Sequence, residues 1–264
     1  DWQVVRMYIY EVIALIASLS LLSYASLEDI KKREISDKVW LVYLLFGILV
    51  RFMDMLTNPT IDHVFDILIS IGVPIGLFLL MYYLGLLFGG ADAKAFICIA
   101  LTVPKPLTSS PIVSGYLLPF YSISIFDNAI LLSLTTIPLN LAYNVSWLLT
   151  GHSLFDGLEK EPITKKVIAF FTCRKVKASV VKSSPNFHTA EELIQAPDGT
   201  KRRRIKLMIR LSEGEEDEAI PDAEYILAHY YLPLIVFVTL GFIASLLVGD
   251  IIVLIVQIIV TPFI

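Results

Sequence analysis

Residues 67–88 read ILISIGVPIGLFLLMYYLGLLF, a stretch of 22 residues without a charged side chain. A helix needs about 20 mostly apolar residues to cross the hydrocarbon core of a bilayer. Because lipid offers no hydrogen-bond partners, a segment that crosses it must satisfy its own backbone groups, as a helix does. The stretch forms most of a predicted span, Asp62–Phe88, and indicates an α-helical integral membrane protein.

The composition of the whole chain agrees with this interpretation. Of its 264 residues, 56% are hydrophobic and only 17% are charged, and the mean hydropathy is +0.73. A soluble domain has about 45–50% apolar and about 25% charged residues. The two cysteines, Cys98 and Cys173, lie in unlike surroundings, and the four histidines are scattered without ligand spacing. We therefore expect no disulfide, no metal site and no cofactor.

Six segments are predicted to cross the membrane. The fourth has only 12 residues, which cover about 18 Å as a helix, so it is either tucked among other helices or extended beyond Pro104. The first is interpreted as a retained span and not as a cleaved signal peptide, because the basic segment follows it. The six segments are Tyr8–Leu27, Lys38–Leu56, Asp62–Phe88, Asp92–Val103, Phe126–Leu149 and Tyr230–Pro262.

The distribution of basic residues orients these spans. With the N-terminus outside, residues 28–38, 89–94 and 150–225 are cytoplasmic, and they hold 18 of the 21 Lys and Arg. Cytoplasmic loops collect such residues, whereas a plan without the fourth span would put the large basic region outside. The sequence therefore predicts a protein of the cell membrane with both termini outside. Its predicted domains are residues 1–149 with five helices, a cytoplasmic insertion at 150–225, and the last helix within 226–264.

The insertion is predicted to be a small α+β region. Thr164–Cys173 has the pattern of a short amphipathic helix, and Lys175–Val181 and Arg204–Leu211 alternate as short strands do. Pro197-Asp198-Gly199 between them is a turn signal. We expect a small antiparallel sheet at the membrane surface.

The basic run Lys201–Arg204 has two interpretations. Such a run occurs in nucleic-acid-binding patches, but beside a membrane it attracts anionic lipid headgroups, by about 1 kcal/mol per basic residue. The lipid interpretation is favoured, and no nucleic-acid partner is expected.

Two carboxylates fall at one depth in this plan. Asp29 lies at the inner end of the first helix and Asp92 at the inner start of the fourth. Carboxylates in or near the membrane are costly and usually face the bundle interior. Two of them side by side cannot easily both ionise, so one is expected to keep a proton while the other stays charged. Such a pair can activate water against a peptide carbonyl.

Each aspartate also has a structural interpretation. Asp92 follows Gly89-Gly90-Ala91 at a helix start, where it would serve as an N-cap. Asp29 would pair with Arg33, and Glu28 with Lys32, if the first helix continued through Ile35. The two structural interpretations together give no reason for the matching depth.

The two aspartates lie in motifs that resemble those of a known family. Asp29–Asp37, DIKKREISD, resembles the first aspartate motif of prepilin peptidases, and Gly89–Lys94, GGADAK, resembles their second, Gly-x-Gly-Asp followed by a small residue and Lys. The resemblance is greatest to archaeal preflagellin and type IV prepilin peptidases, which are GxGD-type aspartic proteases with six spans. It extends to the insertion before the last helix and to Tyr231–Leu234, which opens that helix. Ala91 departs from the family's usual Gly and lacks its easy access to positive φ.

The resemblance implies an aspartic endopeptidase with Asp29 and Asp92 as catalytic residues. Its substrates would be precursors of secreted filament subunits, cut at the cytoplasmic face after a short basic signal peptide. Glu28, Glu34 and Asp37 would then bind the basic residues of the substrate. Gly89, Gly90 and Ala91 shape the second motif, and Lys94 either tunes the aspartate pair or binds a lipid phosphate.

Two other functions remain open at this point. Paired carboxylates also serve proton- or ion-coupled transporters, although such sites usually lie at the midplane and not at the inner edge. A non-catalytic membrane subunit that binds a partner through residues 150–225 is the other alternative. A buried approach of Asp29 to Asp92 favours the peptidase, a continuous polar pathway the transporter, and a large apolar patch on the insertion the subunit.

Overall fold

The computed structural model describes residues 2–87, 89–106, 120–184, 186–195, 201–207, 221–230 and 233–260. The chain forms two compact units. The first combines Asp1–Ser133 with Pro233–Ile264, and the second is Leu134–Leu232.

Helices make up the first unit. They are α1 (Trp2–Lys32), α2 (Asp37–Thr57), α3 (Ile61–Tyr83), α4 (Gly90–Thr102), α5 (Tyr121–Ser133), α9 (Leu234–Leu247) and α10 (Ile251–Val260).

The membrane character of the chain is confirmed, with fewer clear spans than the six predicted. Among the described residues, four helical segments are long and apolar enough to cross a bilayer: α1 from Ile9, α2, α3 and Tyr121–Leu149. The bent pair α9–α10 makes a fifth if it counts as one span. The α4 helix has only 13 residues and is not among them.

The short α4 lies among the other helices of its unit, the first of the two arrangements expected for it. It contacts α1, α2, α3, α5 and α9, and most of its side chains are buried, including Asp92 and Phe96. Phe96 stacks on Phe78 of α3 with ring centroids 4.8 Å apart. A Cβ at Gly47 of α2 would overlap the Thr102 hydroxyl, so the missing side chain lets the two helices approach. Because neighbouring helices surround it, α4 can be apolar although it is shorter than a span that faces lipid needs to be.

The last helix is broken where polar groups meet. α9 and α10 are bent by 54° around Gly249, which has a φ of +88°. The amide of Asn128 in α5 donates to the Gly249 carbonyl at 2.7 Å, and the buried Asp250 accepts from the Ile252 and Val253 N–H groups in the first turn of α10. These hydrogen bonds satisfy the backbone groups that the break frees, as an apolar environment requires.

The second unit is a small α+β assembly, as predicted in outline. Its helices are α6 (Thr136–Leu149), α7 (Ile163–Thr172) and α8 (Ala178–Ser183), and its strands are β1 (Cys173–Lys177), β2 (Phe187–Thr189), β3 (Glu191–Gln195), β4 (Lys201–Ile205) and β5 (Tyr225–Tyr230). The strands form an antiparallel sheet in the order β1-β5-β2 and a separate β3–β4 pair.

The predicted amphipathic helix is confirmed as α7, but the strand predictions were wrong in detail. The strand expected at Lys175–Val181 ends at Lys177, and the chain turns into α8. The strand expected at Arg204–Leu211 is β4, which ends at Ile205. Residues 208–211 and the predicted turn at Pro197-Asp198-Gly199 lie outside the described residues.

The last span was predicted to begin at Tyr230, but Tyr230 is the last residue of a strand, and α9 begins at Leu234. Residues 225–230 form β5, at the centre of the three-stranded sheet. The apolar character of Ile226, Leu227 and Ala228 reflects burial inside the second unit, where all three are inaccessible to solvent. Hydropathy alone does not distinguish such a buried strand from the start of a span.

Candidate active site

Asp29 lies in the last turn of α1, with its side chain partly exposed. An acid in this position opposes the dipole of its own helix. Two groups lie near enough to compensate for this: the backbone of Ile235 at the start of α9 and the Arg33 guanidinium. The structural interpretation required the helix to continue through Ile35, but it does not. It ends at Lys32, and Arg33 turns the chain with a φ of 58°.

Asp92 lies in the first turn of α4 and is only 7% exposed. The predicted N-cap role was wrong, because Gly89 is the N-cap and α4 begins at Gly90. The Asp92 carboxylate instead lies beside the backbone of Gly89, at the third helical position, where an acid faces the N-cap backbone in a capping box. A Cβ at Gly89 would lie 3.3 Å from Oδ2 of Asp92, so the bare backbone at this position accommodates the carboxylate.

The two aspartates share one site. Their carboxyl groups are close enough to interact electrostatically, although they come from helices whose motifs are 63 residues apart in the sequence. Within the described part of the chain, Asp92 forms no ion pair, and its partners are the Gly89 backbone and Asp29. A buried carboxylate without a cation keeps its proton more readily than an exposed one. Two acids placed in this way do not both ionise easily.

Ala91 fits this geometry without strain. It is the second residue of α4, so its backbone is helical and no positive φ is needed. Alanine favours a helix more than glycine does, by about 1 kcal/mol. The departure from the usual Gly-x-Gly-Asp pattern is therefore compatible with the same helix start.

The three acids expected to bind the substrate, Glu28, Glu34 and Asp37, differ from one another in their contacts. Glu28 is paired with Lys32 at 2.8 Å, as the structural interpretation predicted. Asp37, in the first turn of α2, accepts from Nζ of Lys94 at 2.5 Å, so these two residues join the starts of α2 and α4. Glu34 is exposed in the short segment between α1 and α2.

Sequence reasoning missed the polar contacts that join α1 to α9. The Ser26 and Thr239 hydroxyls are 2.7 Å apart and buried, and Thr239 also donates to the Leu22 carbonyl at 3.2 Å. A signal was present, because Ser26 precedes Asp29 by three residues, nearly one helical turn. Thr239 is also the one hydroxyl residue between Pro233 and Ala244.

The second unit contains a cysteine and a histidine in contact, but they do not form a nucleophilic pair. Sγ of Cys173 is 3.5 Å from Nδ1 of His229. Burial raises the pKa of the Cys173 thiol to about 11 and lowers the pKa of His229. A reactive cysteine needs a lowered pKa, so this pair is structural.

The basic run of the insertion is partly neutralised within its own unit. Arg203 donates to the buried Glu191 at 2.6 Å, and Arg204 lies 3.9 Å from Glu192 on the paired strand β3. The antiparallel register of β3 and β4 brings these opposite charges together.

The bundle and its acidic site define a class of protein, a helical membrane protein with two interacting carboxyl groups near one helix start. The type IV leader peptidase family model matches residues 16–148, a range that includes both Asp29 and Asp92. The chain belongs to this family and is a peptidase.

Two curated relatives are similar to the chain. A preflagellin peptidase of Methanococcus voltae is 25% identical over 251 residues, which cover 86% of this chain and 91% of the relative. A preflagellin peptidase of Methanocaldococcus jannaschii is 30% identical over 163 residues, which cover 59% of this chain and 63% of the relative. The resemblance to the archaeal preflagellin and prepilin peptidases is thereby confirmed.

Proposed function

We propose that this peptidase removes the short basic signal peptide from precursors of archaellin- or type IV pilin-like subunits, using Asp29 and Asp92 as an acid–base pair. The observation that carries the proposal is the approach of a buried Asp92, which has no cation beside it among the described residues, to Asp29. The names of the two relatives support the substrate class.

The chemistry follows from two carboxyl groups that share one proton. The ionised carboxylate takes a proton from water, and the water oxygen bonds to the scissile carbonyl carbon while the protonated partner donates to the carbonyl oxygen. The tetrahedral intermediate then loses its C–N bond. The proton taken from water goes to the leaving amine, and a hydroxyl of the intermediate returns a proton to the partner. Each acid thus ends in its starting state.

We also propose the six-span arrangement, with both termini outside and the aspartates at the cytoplasmic face. The distribution of basic residues supports this arrangement. The position of α4 also supports it, because Asp92 lies at the start of this helix and Lys105 just beyond its other end. Lys105 pairs there with Asp66 of α3. Single introduced cysteines at Glu34 and Asp62 would be labelled by an impermeant reagent from opposite sides of sealed vesicles. Labelling of both from the same side would refute the arrangement.

Glu28, Glu34 and Asp37 are proposed to attract the basic part of the signal peptide. They follow or flank Asp29 in the sequence, and Glu34 and Asp37 are exposed to solvent. Since Asp37 already binds Lys94, we expect the larger effect from Glu34.

Membrane lipid is the second proposed partner, and its proposed contact is with α7 as well as the basic run. One face of α7 exposes Ile163 at 73% and Val167, Ile168 and Phe171 to a lesser degree. Amide groups of α6, at the end of a candidate span, donate to carbonyls near the end of α7. A spin label at Val167 in nanodiscs would be accessible to oxygen and shielded from a water-soluble nickel complex, unlike a label at the exposed Ser179. Equal access of nickel to both labels would refute lipid contact.

The catalytic pair is tested by cleavage of an archaellin or type IV pilin precursor in detergent or nanodiscs. We expect Asp29→Asn and Asp92→Asn each to reduce cleavage by about 10²–10⁴-fold or more, because neither variant can both take and give the proton. Asp127→Asn is the matched control, since Asp127 is another partly buried aspartate of the same unit whose acidic neighbour is Asp250. Near-normal cleavage by either active-site variant would refute the pair.

A further inference from the structure

The start of α9 lies against Asp29, in an antiparallel register with the end of α1. Moving back along α1 from Asp29 by one turn gives Ser26, and moving forward along α9 from Ile235 by one turn gives Thr239. At the first pair the Ile235 backbone lies beside the Asp29 carboxyl group, and the Ile235 carbonyl accepts from the Ser26 hydroxyl at 3.2 Å. The second is joined by the contact between the Ser26 and Thr239 hydroxyls at 2.7 Å. The two contacts are thus successive rungs between the same helices.

The second rung is built from buried groups with several hydrogen bonds. The Thr239 hydroxyl lies within hydrogen-bond distance of three groups: the Ser26 hydroxyl, the Leu22 carbonyl at 3.2 Å and the Ile235 carbonyl at 2.9 Å. It is the donor to both carbonyls. Ser26 also reaches the Ile235 carbonyl at 3.2 Å. Both residues are less than 9% exposed. In apolar surroundings these hydroxyls have few other partners, so their pairing fixes the register of α9 on α1.

The register of α9 on α1 determines the electrostatic environment of the Asp29 carboxyl group. The N-terminus of a helix carries free N–H groups and a partial positive charge, which stabilise a nearby carboxylate. Pro233 is the N-cap of α9 and its carbonyl accepts from the Val236 N–H at 3.0 Å, whereas the Leu234 and Ile235 N–H groups precede the first hydrogen bond of the helix. Asp92 lies instead in the first turn of its own helix but is more deeply buried, which opposes ionisation.

We propose that Ser26 and Thr239 are positioning residues that hold the N-terminus of α9 on Asp29, so that Asp29 is the ionised base and Asp92 carries the proton. The inference rests on the proposed function, since it assigns the two roles within the same pair. In the cleavage step Asp29 then accepts the proton of water, and Asp92 protonates the carbonyl oxygen.

The charged groups around Asp29 are few within the described residues. Arg33, the residue after the end of its own helix, contributes a cation, and α4 contributes Asp92. The acid in the first turn of α2, Asp37, is bound to Lys94. α9 has no ionisable side chain, so its effect on Asp29 comes from the backbone alone. A change of helix register therefore alters the ionisation of Asp29 without removing a charge.

The test is the pH dependence of kcat/KM for precursor cleavage by the full chain in nanodiscs. Thr239→Val keeps the volume and removes the hydroxyl. We expect the acidic limb of its profile to move to higher pH by about half a unit, because the base loses part of its stabilisation. Thr239→Ser, which retains a hydroxyl, should restore the limb. Ser245→Ala is the matched control, because this buried hydroxyl of α9 binds Asn128 of α5 instead.

A structural role alone would give a different result. If Thr239→Val lowers the thermal midpoint and leaves the acidic limb where the unsubstituted protein has it, the inference is overturned. Ser26→Ala provides the same readout from the other helix if the Thr239 variant does not fold. Absence of cleavage by the unsubstituted protein would instead refute the proposed function, so the two failures are distinguishable.

Discussion

Asp92 and Glu191 are carboxylates buried to a similar degree, 7% and 1% exposed, in the first and second units. Glu191 is surrounded by donors: Nε of Arg203 and the Leu227 N–H lie at 2.6 Å, and Nζ of Lys175 lies at 3.8 Å. Asp92 has the Gly89 backbone and a second acid. The donors around Glu191 therefore stabilise its unit, whereas the described residues give Asp92 no cation. The partners of a buried acid, more than its burial, distinguish the two roles.

The largest difference is expected when Glu191 and Asp92 are each replaced by the neutral amide and thermal stability is measured. Glu191→Gln leaves Lys175 and Arg203 without their anion, and breaking a buried pair costs about 3–5 kcal/mol. We expect a clearly lower thermal midpoint for this variant and an unchanged or higher one for the inactive Asp92→Asn. Glu192→Gln, at a partly exposed neighbour, is the control and should change stability by less than about 0.5 kcal/mol. A stable Glu191→Gln variant would contradict the comparison.

The destabilisation by Glu191→Gln should also depend on pH. Burial lowers the pKa of Lys175, and Glu191 opposes that shift. Without Glu191, the folded protein binds fewer protons at Lys175 than the unfolded chain does between the lowered pKa and the ordinary value of 10.5. Stability then rises with pH across this window. Thermal midpoints should therefore differ more between variant and parent at pH 7 than at pH 9.5.

A smaller change should disturb Asp92 without altering its charge. Gly89→Ala adds a Cβ 3.3 Å from Oδ2 of Asp92, whereas a Cβ at Gly90 would be 3.8 Å from the Tyr82 hydroxyl, an ordinary contact. Gly89 is extended, with a φ of −143°, so its substitution strains no backbone. We expect about tenfold slower cleavage for Gly89→Ala, near-normal cleavage for Gly90→Ala, and similar thermal midpoints for both. Equal activity of the two variants would show that the carboxylate position is not critical.

The smallest effect is expected at the exposed acids. Glu34→Lys should raise KM for a basic precursor by about two- to fivefold, as the loss of an exposed charge attraction predicts, with kcat unchanged. The effect should shrink at high salt, because ions screen exposed charges. Asp62→Lys, in the first turn of α3, is the control. If KM is the same whether residue 34 is acidic or basic, Glu34 does not take part in substrate binding.

Much of the site was predictable because its signals are local. The motifs around Asp29 and Asp92 combine an acid with a helix end, and helix ends follow from short-range capping and hydropathy. The pairing of Glu28 with Lys32 was equally predictable from their spacing along one helix. The Asp37–Lys94 pair was not, because it joins residues 57 positions apart.

The sequence by itself determined that the chain is a membrane protein, where its long apolar helices lie and which two acids carry the peptidase motifs. These properties follow from hydrophobicity and from local residue patterns. The tertiary structure decided that the 13-residue α4 is an interior helix, that residues 225–230 form a strand, and that the start of α9 faces Asp29. The physical reason is that apolar side chains are suited equally to lipid and to a protein interior. Only the packing of distant segments decides which of these environments they occupy.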